Sequence, residues 1–126
     1  CIGATGPTNG SPVILNDCLP TSPDVTTSWV VPKGKGVAGQ LQIFGSKCID
    51  VKDGVNADGT ELQIWDCTAG NTNQLWIPIG TDDQIQWAGT DKCIDLTDGN
   101  LTHGTTMQIW TCDVGLCSTF CVAHMY

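Results

Sequence analysis

The chain has 126 residues, a net charge of −8, five basic residues and eight Cys. That length suits one domain rather than two, and eight Cys in so short a chain point to an oxidising compartment and a disulfide framework. The basic residues (Lys33, Lys35, Lys47, Lys52 and Lys92) are scattered and Arg is absent, which argues against nucleic acid and anionic membranes, whose phosphates need clustered cations. No run approaches the 18 or so apolar residues of a membrane span, so membrane insertion is not expected. The chain begins at Cys1 rather than Met, which we read as a processed, secreted form. Asn9-Gly10-Ser11 and Asn100-Leu101-Thr102 both fit the glycosylation sequon. Pro12 weakens the first, which leaves Asn100 as the candidate.

In chain order the first 39 residues are the least regular. Val13-Ile14-Leu15-Asn16-Asp17-Cys18 and Trp29-Val30-Val31-Pro32 stand out as apolar segments. Next come Leu41-Gln42-Ile43-Phe44, Lys47-Cys48-Ile49-Asp50, Leu62-Gln63-Ile64-Trp65 and Leu75-Trp76-Ile77. Ile85-Gln86-Trp87, Lys92-Cys93-Ile94-Asp95 and Met107-Gln108-Ile109-Trp110 complete the series. Several alternate apolar residues with Gln, the two-residue period of a half-buried strand. Asp53-Gly54, Asp58-Gly59, Ala69-Gly70-Asn71 and Asp98-Gly99-Asn100 separate them, and these residue types tolerate positive φ. The pattern predicts an all-β chain with short strands and many turns, and no helix.

The chain also repeats itself. Lys47-Cys48-Ile49-Asp50 and Gln63-Ile64-Trp65 with Cys67 recur 45 residues later as Lys92-Cys93-Ile94-Asp95 and Gln108-Ile109-Trp110 with Cys112. A fixed period of this size marks a repeat architecture. Each complete copy predicts four strands, near 40–44, 47–51, 61–66 and 73–79 and again near 84–88, 91–96, 106–111 and 118–124. An eroded first copy precedes them. Its Trp29-Val30-Val31-Pro32 answers Trp76-Ile77-Pro78, but nothing before Cys1 supplies its first strand. The reading is therefore one domain, 1–126, in three copies at about 1–39, 40–83 and 84–126, with eleven strands. Units this small cannot bury their own apolar faces and must share one core.

On the Cys-Ile-Asp and Gln-Ile-Trp signatures the sequence resembles the β-trefoil lectins related to the sugar-binding chain of ricin, the QxW family. The resemblance is densest over 40–112. It implies a six-stranded barrel capped by three hairpins, with threefold pseudosymmetry. Closure removes sheet edges, so the missing strand would leave an unpaired edge unless a larger partner chain, or something else, covers it.

Within the copies the repeat predicts the disulfides Cys48–Cys67 and Cys93–Cys112, and Cys1–Cys18 by analogy. Cys117–Cys121 remains, with two alternatives open: Cys1 bonded to the C-terminal pair, or one thiol linked to a partner chain. A zinc site is not expected, because Cys117 and Cys121 lack a second pair at the usual spacing.

A pyranose offers an apolar face and a rim of hydroxyls. Binding it needs an aromatic platform, a carboxylate that accepts from two hydroxyls, and amides that both donate and accept. By resemblance to the family site, Asp50 accepts from two sugar hydroxyls and Trp65 stacks under the ring. Asn73 and Gln74 close the rim. Gln63 bonds at the edge or orients Asp50, and Asp53 stands behind Gln63 and steadies it. The third copy keeps Asp95, Asp98, Gln108 and Trp110 but has Ser118 and Thr119 where the second has Asn73 and Gln74, so a weaker site is expected there. His103 lies in its loop and is expected to be solvent-exposed. The first copy has Gly3 at the acid position and Asn16 at the indole position and is expected not to bind. Trp29, Trp76 and Trp87 are expected in the core.

No nucleophile elbow, phosphate loop or His-Glu-x-x-His occurs, and the paired carboxylates are explained by binding rather than by glycoside hydrolysis. The chain is therefore expected to be a non-enzymatic, secreted carbohydrate-binding protein that needs no cofactor, recognising a glycan, with galactose or N-acetylgalactosamine favoured by the family. The alternatives are an accessory subunit or module on a larger secreted enzyme, and a trefoil protease inhibitor, which would leave the Asp50 cluster unexplained.

Overall fold

A computed structural model of the protein describes residues 1–18, 27–79 and 84–112. Among them are nine short strands and three 3-10 turns, and no α-helix. The strands are β1 (Ile2–Ala4), β2 (Val13–Leu15), β3 (Gln42–Ile43), β4 (Lys47–Val51), β5 (Leu62–Asp66), β6 (Trp76–Ile79), β7 (Gln84–Trp87), β8 (Lys92–Leu96) and β9 (Met107–Thr111). All pairings are antiparallel, in the orders β1-β2, β3-β4-β5 and β6-β7-β8-β9.

The two-residue alternation builds the core. Ile49, Val51, Leu62 and Ile64 point one way from the β4–β5 hairpin, and Ile94, Leu96, Met107 and Ile109 do so from β8–β9. Ile2, Ala4, Val13 and Leu15 supply the same face from β1–β2. These residues meet in one cluster with Leu41, Ile43, Trp76, Ile85 and Trp87. Trp76 and Trp87 are buried, as the sequence led us to expect, and half-buried Trp29 packs against the cluster. Each indole N–H finds a backbone carbonyl: Trp76 donates to Ile49 at 3.0 Å, Trp29 to Ile2 at 2.8 Å and Trp87 to Thr72 at 2.7 Å. Ile2 and Ile49 sit at matching places in their hairpins, so Trp29 and Trp76 make the same bond.

Three hairpins close on one another in a ring. The Gly10 N–H donates to the Ile64 carbonyl, Gly59 to Ile109 and Gly104 to Leu15, each at 2.8 Å. In return Ile64 donates to Ser11, Ile109 to Thr60 and Leu15 to Thr105. All three glycines have φ near +90°, a region that L side chains avoid. β2, β5 and β9 thereby contact one another in turn.

Several expected strands differ. The 73–79 strand begins only at Trp76, because residues 72–74 form a 3-10 turn. The Asn71 side chain accepts the Asn73 N–H at 3.0 Å and so outcompetes the extended form locally. The 40–44 strand shrinks to Gln42–Ile43, since Phe44 and Gly45 turn with positive φ. Near Trp29 only an isolated bridge, Val30 to Gln42, forms. The expected 118–124 strand lies outside the described residues. So do Cys117–Cys121, Ser118 and Thr119. Cys1–Cys18, Cys48–Cys67 and Cys93–Cys112 are bonded as expected.

Candidate functional site

The register of β4 against β5 decides which side chains share a face. Asp50 pairs with Gln63 and Cys48 with Trp65. Cross-strand partners, and residues two apart on a strand, lie on the same face. Asp50, Gln63 and Trp65 therefore face together, opposite the core residues Ile49 and Ile64. Diagonal positions such as 50 and 65 are about 7 Å apart, a span that one sugar ring can bridge. Asp50 is 5 % exposed and Trp65 is 44 % exposed. The acid forms a floor and the indole a free surface beside it.

Two amides hold the acid. The Gln63 Nε2 donates to Asp50 Oδ1 at 3.1 Å, and the Gln74 Nε2 donates to Oδ2 at 3.1 Å. Each carboxylate oxygen thus accepts one amide hydrogen bond. Burial pushes the Asp50 carboxyl above the ordinary aspartate range; the Gln63 and Gln74 bonds oppose that rise, and the neighbouring Asp53 charge adds to it.

Gln74 does not close a hydroxyl rim. It is 0 % exposed. Its Nε2 also donates to the Asp66 carbonyl at 3.0 Å, and its Oε1 accepts from Thr68 N–H at 3.0 Å and from Gln40 Nε2 at 3.3 Å. All its hydrogen-bonding capacity is used inside the protein, so its part is to orient Asp50. Asp53 does not steady Gln63 either. It is exposed at a left-handed corner, φ 56°, while the Gln63 amide is turned to Asp50. Gln40 and Asn71, which brace Gln74 and shape its turn, gave no sign of this in the sequence, where Gln40 opened an expected strand and Asn71 closed a turn.

Asn73 is half-buried, and its amide lies over Gly54. A Cβ on Gly54 would stand 2.8 Å from Asn73 Oδ1, and Gly54 has φ +63°. Gly54→Ala is therefore expected to cost about 1–2 kcal/mol for the left-handed backbone and to push Asn73 off its place. Urea unfolding checks this, and an unchanged midpoint would contradict it.

The third-copy residues repeat the arrangement. Asp95 pairs with Gln108 and Cys93 with Trp110. The Gln108 Nε2 donates to Asp95 Oδ2 at 2.8 Å, and Trp110 is 47 % exposed. Asp98 is exposed at φ 55°, like Asp53. His103 is exposed, and its Nδ1 lies 3.8 Å from Asp17 Oδ2, turned toward the first hairpin. In the first hairpin Gly3 pairs with Ile14, where the others pair acid with Gln.

A closed all-β molecule with two such acid, amide and indole faces defines a class, the sugar-binding β-trefoils. The chain matches the model of the ricin-type beta-trefoil lectin domain over residues 1–118 and belongs to that family. Domains of this family are non-catalytic, carbohydrate-binding modules. The chain is also similar to Serine protease 1 of Rarobacter faecitabidus, 32 % identical over 96 residues that cover 62 % of this chain and 16 % of that protein. It thus spans a small part of that relative's length.

Proposed function

We propose that the protein is a secreted lectin that recognises a hexopyranose, galactose or N-acetylgalactosamine, chiefly through Asp50, Gln63, Trp65 and Asn73. The observation that carries this is the shared face of Asp50 and Trp65, with the acid oriented by Gln63 and Gln74. An axial hydroxyl beside an equatorial one suits a two-hydroxyl clamp. Asp95, Gln108 and Trp110 form a second, weaker site, with Ser118 and Thr119 at the sequence places of Asn73 and Gln74. A few hydrogen bonds and one stacked ring give about −4 to −5 kcal/mol, near millimolar, so useful avidity comes from using both sites. The three disulfides and the exposed sequon at Asn100 agree with secretion.

Calorimetric titration with lactose tests the reading. Binding near millimolar is expected at pH 7, and no heat with any galactose-terminated sugar would overturn it. Acidification has opposite effects on binding and on folding. The clamp needs the Asp50 carboxylate, so affinity falls as pH drops through its raised pKa, above the range of an ordinary Asp. For folding, a group whose pKa is raised in the native state binds its proton more tightly there. This one group then favours folding more as pH drops through the same window. Lactose affinity unchanged down to the usual aspartate range would contradict the assignment of the clamp.

A second reading, that the domain serves as a binding module joined to a larger secreted enzyme, is favoured by the similarity to a protease of which it matches 16 %. Co-elution of the native protein with a larger chain, or its presence within one, supports this. A native monomer of this size counts against it.

A further inference from the structure

The first hairpin lacks both acid and indole, yet its loop reaches the Trp65 face. The Asn9 Oδ1 accepts the Asp66 backbone N–H at 2.9 Å and a bond from Lys47 Nζ at 2.8 Å, and its Nδ2 donates to Asp66 Oδ2 at 3.0 Å. Lys47 and Asp66 also pair directly. One residue on, Gly10 N–H and Ser11 carbonyl hold the carbonyl and N–H of Ile64 at 2.8 and 2.9 Å. Residues 64 and 66 are thus both fixed by residues 9–11, and Trp65 stands between them. A Cβ on Gly10 would lie 3.8 Å from Trp65 Cζ3, so the loop runs along the edge of the indole.

The same device recurs one hairpin later with different chemistry. Asp58 Oδ1 accepts the Thr111 backbone N–H at 2.8 Å and its hydroxyl at 2.9 Å, and Lys92 Nζ lies 3.2 Å from Asp58. Gly59 and Thr60 hold Ile109 as Gly10 and Ser11 hold Ile64. A Cβ on Gly59 would lie 3.9 Å from Trp110 Cζ3. An amide faces an acid in one clasp, and an acid faces a hydroxyl in the other. Each pair avoids two carboxylates in contact.

We infer that Asn9 and Asp58 are positioning residues for the platforms of the next hairpin, so that the first copy, without a sugar site of its own, orients Trp65 for the second. The inference rests on the lectin reading above for its effect on binding, and on geometry alone for its effect on the indole.

The test uses the full chain with Trp110→Ala, which leaves Trp65 the exposed indole among the described residues. Asn9→Ala is expected to weaken lactose binding about three- to tenfold, the range for one lost hydrogen-bonded contact, and to make the indole more accessible to acrylamide quenching. Asn9→Asp, which faces Asp66, is expected to do the same. Adding Asp66→Thr to Asn9→Asp reproduces the other clasp and is expected to restore both readouts to within about twofold of the parent. A purely structural role would lower the melting temperature without this pattern of loss and rescue. Equal affinity and quenching in parent and Asn9→Ala would overturn the inference, and so would failure of the double variant to restore them. If the parent binds no lactose, the lectin reading fails, and quenching alone decides the positioning.

Discussion

Gln74→Leu is expected to remove most of the affinity at the Asp50 site and to lower stability by about 2–3 kcal/mol. The side chain fits by volume, so the loss is of hydrogen bonds rather than of packing. Four bonds go at once: to Asp50 Oδ2, the Asp66 carbonyl, the Thr68 N–H and the Gln40 amide. The Thr68 and Asp66 backbone groups lie near the surface and recover water, which limits the cost. Asp50 is buried and does not recover it so readily. With one donor left, its carboxyl protonates at still higher pH, because the removed bond is one of the two that hold its pKa down. Urea unfolding and lactose titration at pH 7 check both parts. A variant of parental stability and affinity would show that Gln74 does not orient Asp50.

Cys48→Ala with Cys67→Ala is expected to cost about 3 kcal/mol, the restriction that a bridge across 19 residues places on the unfolded chain. A melting temperature lower by about 10 °C would register it. The bridge also bears on the site, since Cys48 pairs with Trp65 across β4 and β5 on the face that carries Asp50. Sugar affinity should fall along with stability. A melting temperature within a degree or two of the parent would contradict the estimate.

The hairpins were legible in the sequence because their signals are local. Alternation over Lys47–Val51 and Leu62–Asp66 gave strands close to those observed, and the 45-residue period placed Asp95, Gln108 and Trp110 on a second face of the same kind. Buried indoles were legible too, since Trp76 stands beside Leu75 in an apolar run. What was missed depends on non-local or competing contacts. Residues 72–74 look extendable until the Asn71 side chain takes the Asn73 N–H. Gln74 was expected at the hydroxyl rim, because nothing in composition marks the rare polar residue that is wholly enclosed. The Asn9 clasp joins residues 57 apart across two hairpins, and no periodicity within either hairpin announces it. The resemblance set Asp53 behind Gln63, whereas Asp53 stands exposed at a residue with φ 56°.

The account stands on Asp50 and Trp65 acting together on one saccharide. Lactose titration into Trp110→Ala, alone and with Asp50→Ala or Trp65→Ala added, measures this most directly. Near-millimolar binding in the first and no measurable binding in either double variant is the predicted result. Undiminished binding after Asp50→Ala, with the fold intact, would contradict it.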